Sequence, residues 1–527
     1  MSIVIMGTIW SLGIMGIMGY ELTVISVVIP TLVLTIGTSY TIHILNQYYH
    51  DATIEHESNQ WIVDATLHII KTVLMASLTT IIGFLSLLFT SIEASRQFAI
   101  SASVGIFVCA ILSLTFLPAA LSRFKNPEHH QRHRVQSGKF TTSMSSASRF
   151  VYRFKYFFSF IFIVIIILFS YSYPRITHQS DYVSYYPQED PIVEGLTFMM
   201  ENFEGGQRLN LTINAPVDEK NYFLEPENLQ IVSEMEEKLK GYENIMNISS
   251  FSTVIKDLNR IMSDKYAIPE KRGLIFALSK YFKVLNQATE TGVSSMMVND
   301  TFTQLNLTIM IFNSENQRFL SEEGLRSLVN SILDESEEHL GKNNISYELW
   351  GYDLEYLHLA ETVSKDQFKS TAISIVLVLI IATFFFKSFL YGLLTLIPLL
   401  SGIMLNFTFM VITGIPLDVT TMMVTSVAIG VGVDDAIHYL LQFKKQLLLG
   451  GTIEEVIVRC GKISGRPIAL TTISIVGGLM VLTLASFKGI FYFGTLVSFT
   501  LTFAMIGTLV ILPAILAILV RFNLIRR

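Results

Sequence analysis

The segment GVGVDDAIHYLLQF, residues 430–443, carries two adjacent acidic residues, Asp434 and Asp435, inside a long apolar stretch. No charged residue occurs from 419 to 433, and the next basic residue along the chain is Lys444. Carboxylates within a membrane helix are costly and usually functional. The segment therefore predicts a buried acidic site inside a membrane-spanning bundle. The alternative is a helix cap or salt bridge close to the membrane surface.

The composition supports a membrane protein, because 51% of the residues are hydrophobic, only 15% are charged and the mean hydropathy is +0.50. A membrane helix needs about 20 apolar residues, and by that measure the sequence predicts about ten spans. A polar stretch, 174–369, separates the fifth span from the sixth. The predicted spans begin near Ile3, Leu22, Leu67, Phe98, Phe157, Ser370, Tyr391, Val419, Pro467 and Gly489.

Basic residues concentrate on one side of these spans, which predicts that this side is cytoplasmic. The stretch EHHQRHR, residues 128–134, lies among them and is interpreted as a membrane-surface segment rather than a metal site. The predicted plan is a first bundle (1–121), a basic cytoplasmic linker (122–155), one helix (156–173), an extracytoplasmic domain (174–369), a second bundle (370–520) and a basic tail (521–527).

An internal repeat relates the two predicted bundles. The stretch TIGTSYTIHILNQY, residues 35–48, aligns with 430–443 at a constant offset, 438 − 43 = 395. Duplicated bundles of like orientation are typical of transporters. By the same offset the first copy lacks one span, one domain and another span, so the sequence predicts an N-terminally truncated chain: a gene fragment, a mis-assigned start or half of a split gene. Further matched pairs are Gly37 with Gly432, Lys71 with Arg466, Gly83 with Gly478, and Leu117-Pro118 with Leu512-Pro513.

The two aspartates and their polar neighbours predict a proton relay, because protonation of a buried carboxylate changes the charge within the bundle. His438 follows Asp434 by one helical turn. The first copy has Ser39 and Tyr40 in place of the aspartates, which makes the site asymmetric. The alternatives left open are structural histidines and hydroxyls bonded to their own helix. The predicted relay comprises Asp434, Asp435, His438, Ser39, Tyr40, His43, Thr471, Thr472 and Ser474, and the predicted helix-packing glycines are Gly430, Gly432, Gly37, Gly83 and Gly478.

The polar stretch predicts an α+β, ferredoxin-like domain, because its periodicity alternates between that of strands and that of helices. Strands are predicted at 208–214, 306–312 and 345–351. One helix is predicted around Val232 and another after Ser321, which can act as its cap. No catalytic cluster is evident there, so the domain is interpreted as one that contacts substrate or other domains.

These motifs resemble the RND superfamily, most closely its MMPL-type, Patched-like hydrophobe exporters with sterol-sensing-type bundles. The resemblance implies proton-driven export of lipids or other hydrophobic molecules in a bacterial inner (plasma) membrane, and matches residues 1–121 to helices 3–6 of a twelve-helix protein. In that family acidic residues of the fourth and tenth helices carry protons. Here only Asp434 and Asp435 match, because Ser39 and Tyr40 occupy the other position. The family also has two extracytoplasmic domains where one is predicted here.

The sequence thus predicts a transporter that is not an enzyme and has no cofactor, metal or nucleic-acid partner. The net charge of −6 is mild, and Cys109 and Cys460 lie in or beside apolar runs. Expected partners are a hydrophobic or lipid substrate, protons, membrane lipids, and either a second copy or a protein supplying the missing helices and domain. The alternatives are a non-transporting lipid-binding sensor or scaffold, and an accessory subunit of protein export.

Overall fold

The computed structural model describes residues 1–51, 60–123, 139–178, 183–187, 189–202, 207–216, 220–289, 296–312 and 320–525. Within this part the chain divides into two compact units. A helical unit comprises Met1–His178 and Thr362–Arg527, and an α/β unit comprises Gln179–Glu361. The EHHQRHR stretch, 128–134, lies outside the described residues.

Helices dominate because a backbone in lipid must satisfy its own hydrogen bonds. In chain order the helices are α1 (Ser2–Met18), α2 (Ile29–Asp51), α3 (Gln60–Leu85), α4 (Glu93–Leu121), α5 (Lys139–Arg153), α6 (Lys155–Ser172), α7 (Pro191–Asn202), α8 (Pro226–Leu239), α9 (Phe251–Ser263), α10 (Arg272–Thr289), α11 (Glu322–His339), α12 (Tyr352–Phe386), α13 (Phe389–Thr413), α14 (Met422–Leu448), α15 (Ile453–Leu479), α16 (Lys488–Ile506) and α17 (Leu512–Arg521).

Nine helical spans of the described residues are long and apolar enough to cross a membrane, and α1 is apolar but shorter. The predicted polytopic fold is thereby confirmed. Helices α12 and α15 begin well before their predicted apolar spans, at Tyr352 and Ile453, because both helices include a polar segment ahead of the apolar one. In α15 a capping box between Thr452 and Glu455 sets the start, and Pro467 is accommodated inside the helix. The basic linker also contains a helix, α5, that the sequence reading missed.

Equivalent contacts join the two copies of the repeat. Helix α3 packs against α14, and its repeat counterpart α15 packs against α2. A Cβ atom added to Gly83 would lie 2.5 Å from the Cα of Gly430, so these backbones touch. A Cβ atom added to Gly478 would lie 2.1 Å from the Cγ2 of Thr35. Since 478 − 83 and 430 − 35 both equal 395, the two crossings are related by the repeat.

The α/β unit contains a four-stranded antiparallel sheet of β1 (Gln207–Asn214), β2 (Ile245–Ser249), β3 (Gln304–Ile311) and β4 (Ser346–Trp350), in the order β2-β3-β1-β4. Side chains alternate along a strand, and β1 accordingly buries Leu209, Leu211 and Ile213 in the core of the unit. The predicted α+β domain is confirmed. Three strands were foreseen, whereas the short strand β2, with an irregular register against β3, was missed.

Candidate functional site

Both aspartates lie in the most enclosed helix of the bundle. Every residue of α14 from Met422 to Ile437 is buried. The exposed fraction is 8% for Asp434 and 9% for Asp435. A buried carboxylate loses its hydration, so its remaining neighbours determine whether it can hold a charge or a proton.

Asp434 lies between two histidines, one from each copy of the repeat. Its Oδ2 is 3.3 Å from Nε2 of His43, and its Oδ1 is 3.4 Å from Nε2 of His438. The two imidazole rings stack with centroids 4.3 Å apart and planes inclined by 12°. Two stacked rings that were both cationic would repel each other. The stacked geometry therefore disfavours two positive charges beside the carboxylate.

The same trio offers three ligand atoms within 4.8 Å of one another, a spacing that invites a metal-site interpretation. The lone pair of an imidazole nitrogen lies in the plane of its ring. Nearly parallel stacked rings direct their lone pairs side by side, whereas a zinc ion requires ligands that converge at about 2.0–2.1 Å. We therefore assign no metal to His43, Asp434 and His438.

Asp435 faces α15. The Thr472 hydroxyl donates a hydrogen bond to its Oδ2 at 2.8 Å. Thr471 instead donates within its own helix, to the carbonyls of Pro467 and Ile468 at 3.0 and 2.9 Å. Ser474 is exposed and is not brought to the site. At about 100° per residue it lies some 200° around the helix from Thr472.

A small cavity of about 20 Å³ lies beside both carboxylates. That volume accommodates about one water molecule. Ser39 and Tyr40 of the first copy form part of its wall, so they lie beside the two aspartates of the second copy. The polar lining comprises Ser39, Tyr40, Thr80, Asp434, Asp435, Thr471 and Thr472.

The predicted packing glycines lie at close approaches between helices. Gly83 and Gly430 form the tightest backbone crossing, and Thr80 adds a hydrogen bond from its hydroxyl to the Gly430 carbonyl at 3.0 Å. Gly37 faces Cys109, and Gly432 faces Leu399. Their role in packing remains a prediction that these distances support.

A row of buried serine hydroxyls was not predicted from the sequence. The hydroxyl of Ser374 on α12 donates to Ser86 at 2.5 Å, and Ser86 donates to Ser426 at 3.3 Å. Ser426 lies eight residues before Asp434 on the same face of α14. The polar residues of α12 recur every four positions, at Asp366, Ser370 and Ser374, which was the signal available in the sequence.

Comparisons with known proteins agree with this architecture. Residues 1–139 match the model of the sterol-sensing domain of SREBP cleavage-activation, and residues 325–527 match the MMPL family. A membrane protein of Methanocaldococcus jannaschii is 22% identical over 357 residues, which cover 65% of this chain and 85% of that protein. The apo-petrobactin exporter of Bacillus anthracis is 24% identical over 230 residues, which cover 40% of this chain and 31% of the exporter.

A duplicated helical bundle with a buried polar centre and an inserted α/β unit defines an integral membrane protein of transporter type. The two family matches confirm the resemblance drawn from the sequence: residues 1–139 are similar to a sterol-sensing-type bundle, and residues 325–527 are similar to MMPL-type membrane proteins. They support a membrane transporter of hydrophobic compounds.

Proposed function

We propose that the protein uses the proton-motive force to export lipids or other hydrophobic molecules from a cell inner membrane. In this proposal the α/β unit lies outside the cytoplasm and the basic ends of the helices lie inside. The observation that carries the proposal is the buried pair Asp434 and Asp435, enclosed between the two copies of the repeat.

In this proposal the movement of protons supplies the energy for export. One proton moving down a membrane potential delivers about 2.3 kcal/mol per 100 mV. Protonation removes a negative charge from the centre of the bundle, and this favours whichever helix arrangement solvates that charge less well. The equivalent crossings of α3 with α14 and of α15 with α2 give the bundle two related contacts that can rearrange.

The proposed site has one acidic side rather than two. Ser39 and Tyr40 line the same cavity as the aspartates but supply no carboxylate. In place of a second acidic residue, the first copy places His43 beside Asp434. We propose that Asp435 exchanges the transported proton through the small cavity, while the histidine pair balances the charge of Asp434.

A hydrophobic substrate is consistent with the family match, and one relative is named as an exporter. Membrane lipids are the corresponding substrate class in this proposal. A second copy of the chain, or a partner supplying further helices, remains a prediction from the sequence.

The experiment reconstitutes the full chain in liposomes that contain a fluorescent hydrophobic lipid analogue. An inward or outward pH gradient is imposed, and movement of the analogue is followed by quenching from one side. The test variant is Asp434→Asn with Asp435→Asn, and the control is Ser474→Ala, whose side chain is exposed on the neighbouring helix.

We expect gradient-driven movement by the wild type and the control, and none by the double variant, with binding of the analogue retained by all three. Movement at the wild-type rate in the double variant would contradict the proton site. Binding without gradient-driven movement in the wild type would indicate a lipid sensor instead.

A further inference from the structure

A second cavity, of about 880 Å³, opens at the basic end of the helical unit. Its walls come from both copies of the repeat, chiefly α2 and α3 from the first and α14 and α15 from the second. The proposed proton site shares only the stacked histidines, His43 and His438, with the lining of this cavity. Five basic side chains line it: Lys71, Lys445, Arg459, Lys462 and Arg466.

The repeat places this cavity between its two copies. Lys71 and Arg466 occupy equivalent positions, as do Gln47 and Gln442, and all four line the cavity. The stacked histidines, also equivalent, line it as well. A cavity lined by matched residues from both copies lies where the bundles face each other, and any ligand there contacts both.

The charge of the lining has one sign. No acidic side chain lines the cavity among the described residues. In the same part of the chain, Lys71, Lys445 and Lys462 make no ion pair. Arg459, in contrast, donates to the carbonyls of Gly450 and Glu455. The lysine ammonium groups thus have donors available for an anion.

The cavity also has an apolar wall, formed by Phe385, Leu441, Ile463 and Ile468. A free inorganic anion would gain nothing from these side chains. An amphiphile with an anionic head satisfies both parts of the lining, because its charged group meets the lysines and arginines while its glycerol and upper acyl carbons meet the apolar wall. The volume greatly exceeds that of a phosphate group alone.

We propose that this cavity binds the anionic phosphate headgroup of a membrane lipid. Basic pockets between membrane helices near the membrane surface suit such headgroups, and guanidinium and ammonium groups form strong charge-assisted hydrogen bonds with phosphate oxygens. The bound lipid contacts both copies of the repeat and therefore holds them in one relative arrangement. The inference is independent of the proton site.

The test uses the full chain in phosphatidylcholine nanodiscs with an increasing fraction of phosphatidylglycerol. Bound phosphatidylglycerol is measured by native mass spectrometry. A second arm adds inorganic phosphate to nanodiscs of phosphatidylcholine alone and follows the thermal unfolding midpoint. The test variant is Lys71→Gln with Arg466→Gln. The matched control, Arg153→Gln with Lys155→Gln, removes two cations from α5 and α6 outside the cavity.

We expect the test variant to lose at least about tenfold in apparent affinity for phosphatidylglycerol, equivalent to about 1.4 kcal/mol. The control should change by less than about twofold on the same scale. Lys71→Arg with Arg466→Lys should retain binding, which separates lost charge from misfolding.

Equal loss in the test and control variants would show general surface attraction and overturn the proposal. Saturable binding of inorganic phosphate that the test variant abolishes, with no selective retention of phosphatidylglycerol, would assign the cavity to a soluble anion and overturn the lipid as its occupant.

Discussion

At the residue scale, the two neighbouring aspartates have different surroundings. Successive residues of a helix point about 100° apart, so Asp434 reaches the histidine pair and Asp435 reaches Thr472. The sequence pointed to both carboxylates and to most of the polar residues beside them, but not to Thr80. It could not assign partners, because those depend on how α2 and α15 are rotated against α14.

Thr472 and Thr471 offer a matched test of this assignment. Thr472→Val removes the hydrogen bond to Asp435, and bonds to charged groups contribute about 1.5–3 kcal/mol. We expect gradient-driven transport in liposomes to slow by at least about tenfold. Thr471 lines the same cavity but donates within its own helix, so Thr471→Val leaves the hydrogen bond to Asp435 in place and should slow transport much less than Thr472→Val. Equal rates for the two variants would argue against a role for the hydrogen bond between Thr472 and Asp435.

A second buried carboxylate, Glu236, lies in the α/β unit. Burial raises the pKa of Glu236, although hydrogen bonds from Ser250 and Ser252 and the nearby Lys256 partly oppose the rise. The folded state therefore holds this proton more tightly than the unfolded chain. Its contribution to stability is fully present below the unfolded-state pKa of about 4.3 and is lost as pH rises through the folded-state pKa.

We expect Glu236→Gln to lose this component of the pH dependence. The unfolding midpoint of the full chain is measured in detergent for both proteins. The midpoint of the variant minus that of the wild type should be larger at pH 8 than at pH 5. Glu237→Gln is the control, because its side chain is 58% exposed. Parallel wild-type and Glu236→Gln profiles would contradict the prediction.

At the element scale, the crossing of α3 and α14 leaves no space for a side chain. Gly83→Ala places a methyl group against the Gly430 backbone, and overpacking of this kind costs about 1–3 kcal/mol. Gly477 has no atom within 4 Å of an added Cβ. Gly477→Ala should therefore be neutral, or gain up to about 1 kcal/mol from helix propensity.

Both variants are compared by thermal unfolding in detergent and by dispersion on size exclusion. A lower midpoint for Gly83→Ala, with an unchanged or higher midpoint for Gly477→Ala, is the expected result. If both midpoints move together, the crossing does not limit stability.

The elements that the sequence predicted well are those whose pattern is strong over many residues. The apolar spans and the strands β1, β3 and β4 belong to this group. Helix α5 and the polar beginnings of α12 and α15 were not predicted, because these segments contain charged and polar residues and lack a long apolar run. Packing and capping stabilise them instead. Ser474 was misplaced for a related reason, since composition alone does not say which face of α15 meets α14.

At the scale of the whole molecule, the predicted orientation can be tested by labelling cysteines introduced on either side of the membrane. Cys109 and Cys460 are both fully buried, so neither should react with a membrane-impermeant maleimide. We expect Ser327→Cys, exposed in the α/β unit, to be labelled in intact cells. Ser146→Cys, exposed on α5, should be labelled only after permeabilisation.

Unsubstituted protein provides the background for this labelling experiment. Labelling of Ser146→Cys in intact cells, with Ser327→Cys protected until permeabilisation, would reverse the orientation. Labelling of both in intact cells would show that the two positions do not lie on opposite sides of the membrane.

The two repeat-related crossings also record ancestry. In a dimer of two identical ancestral halves, symmetry would make both crossings the same pair of residues. Here one crossing joins Gly83 to Gly430 and the other joins Gly478 to Thr35. A threonine in one copy and a glycine at the equivalent position of the other can be inherited independently only after the two copies are encoded separately, so this difference is a trace of divergence that followed duplication.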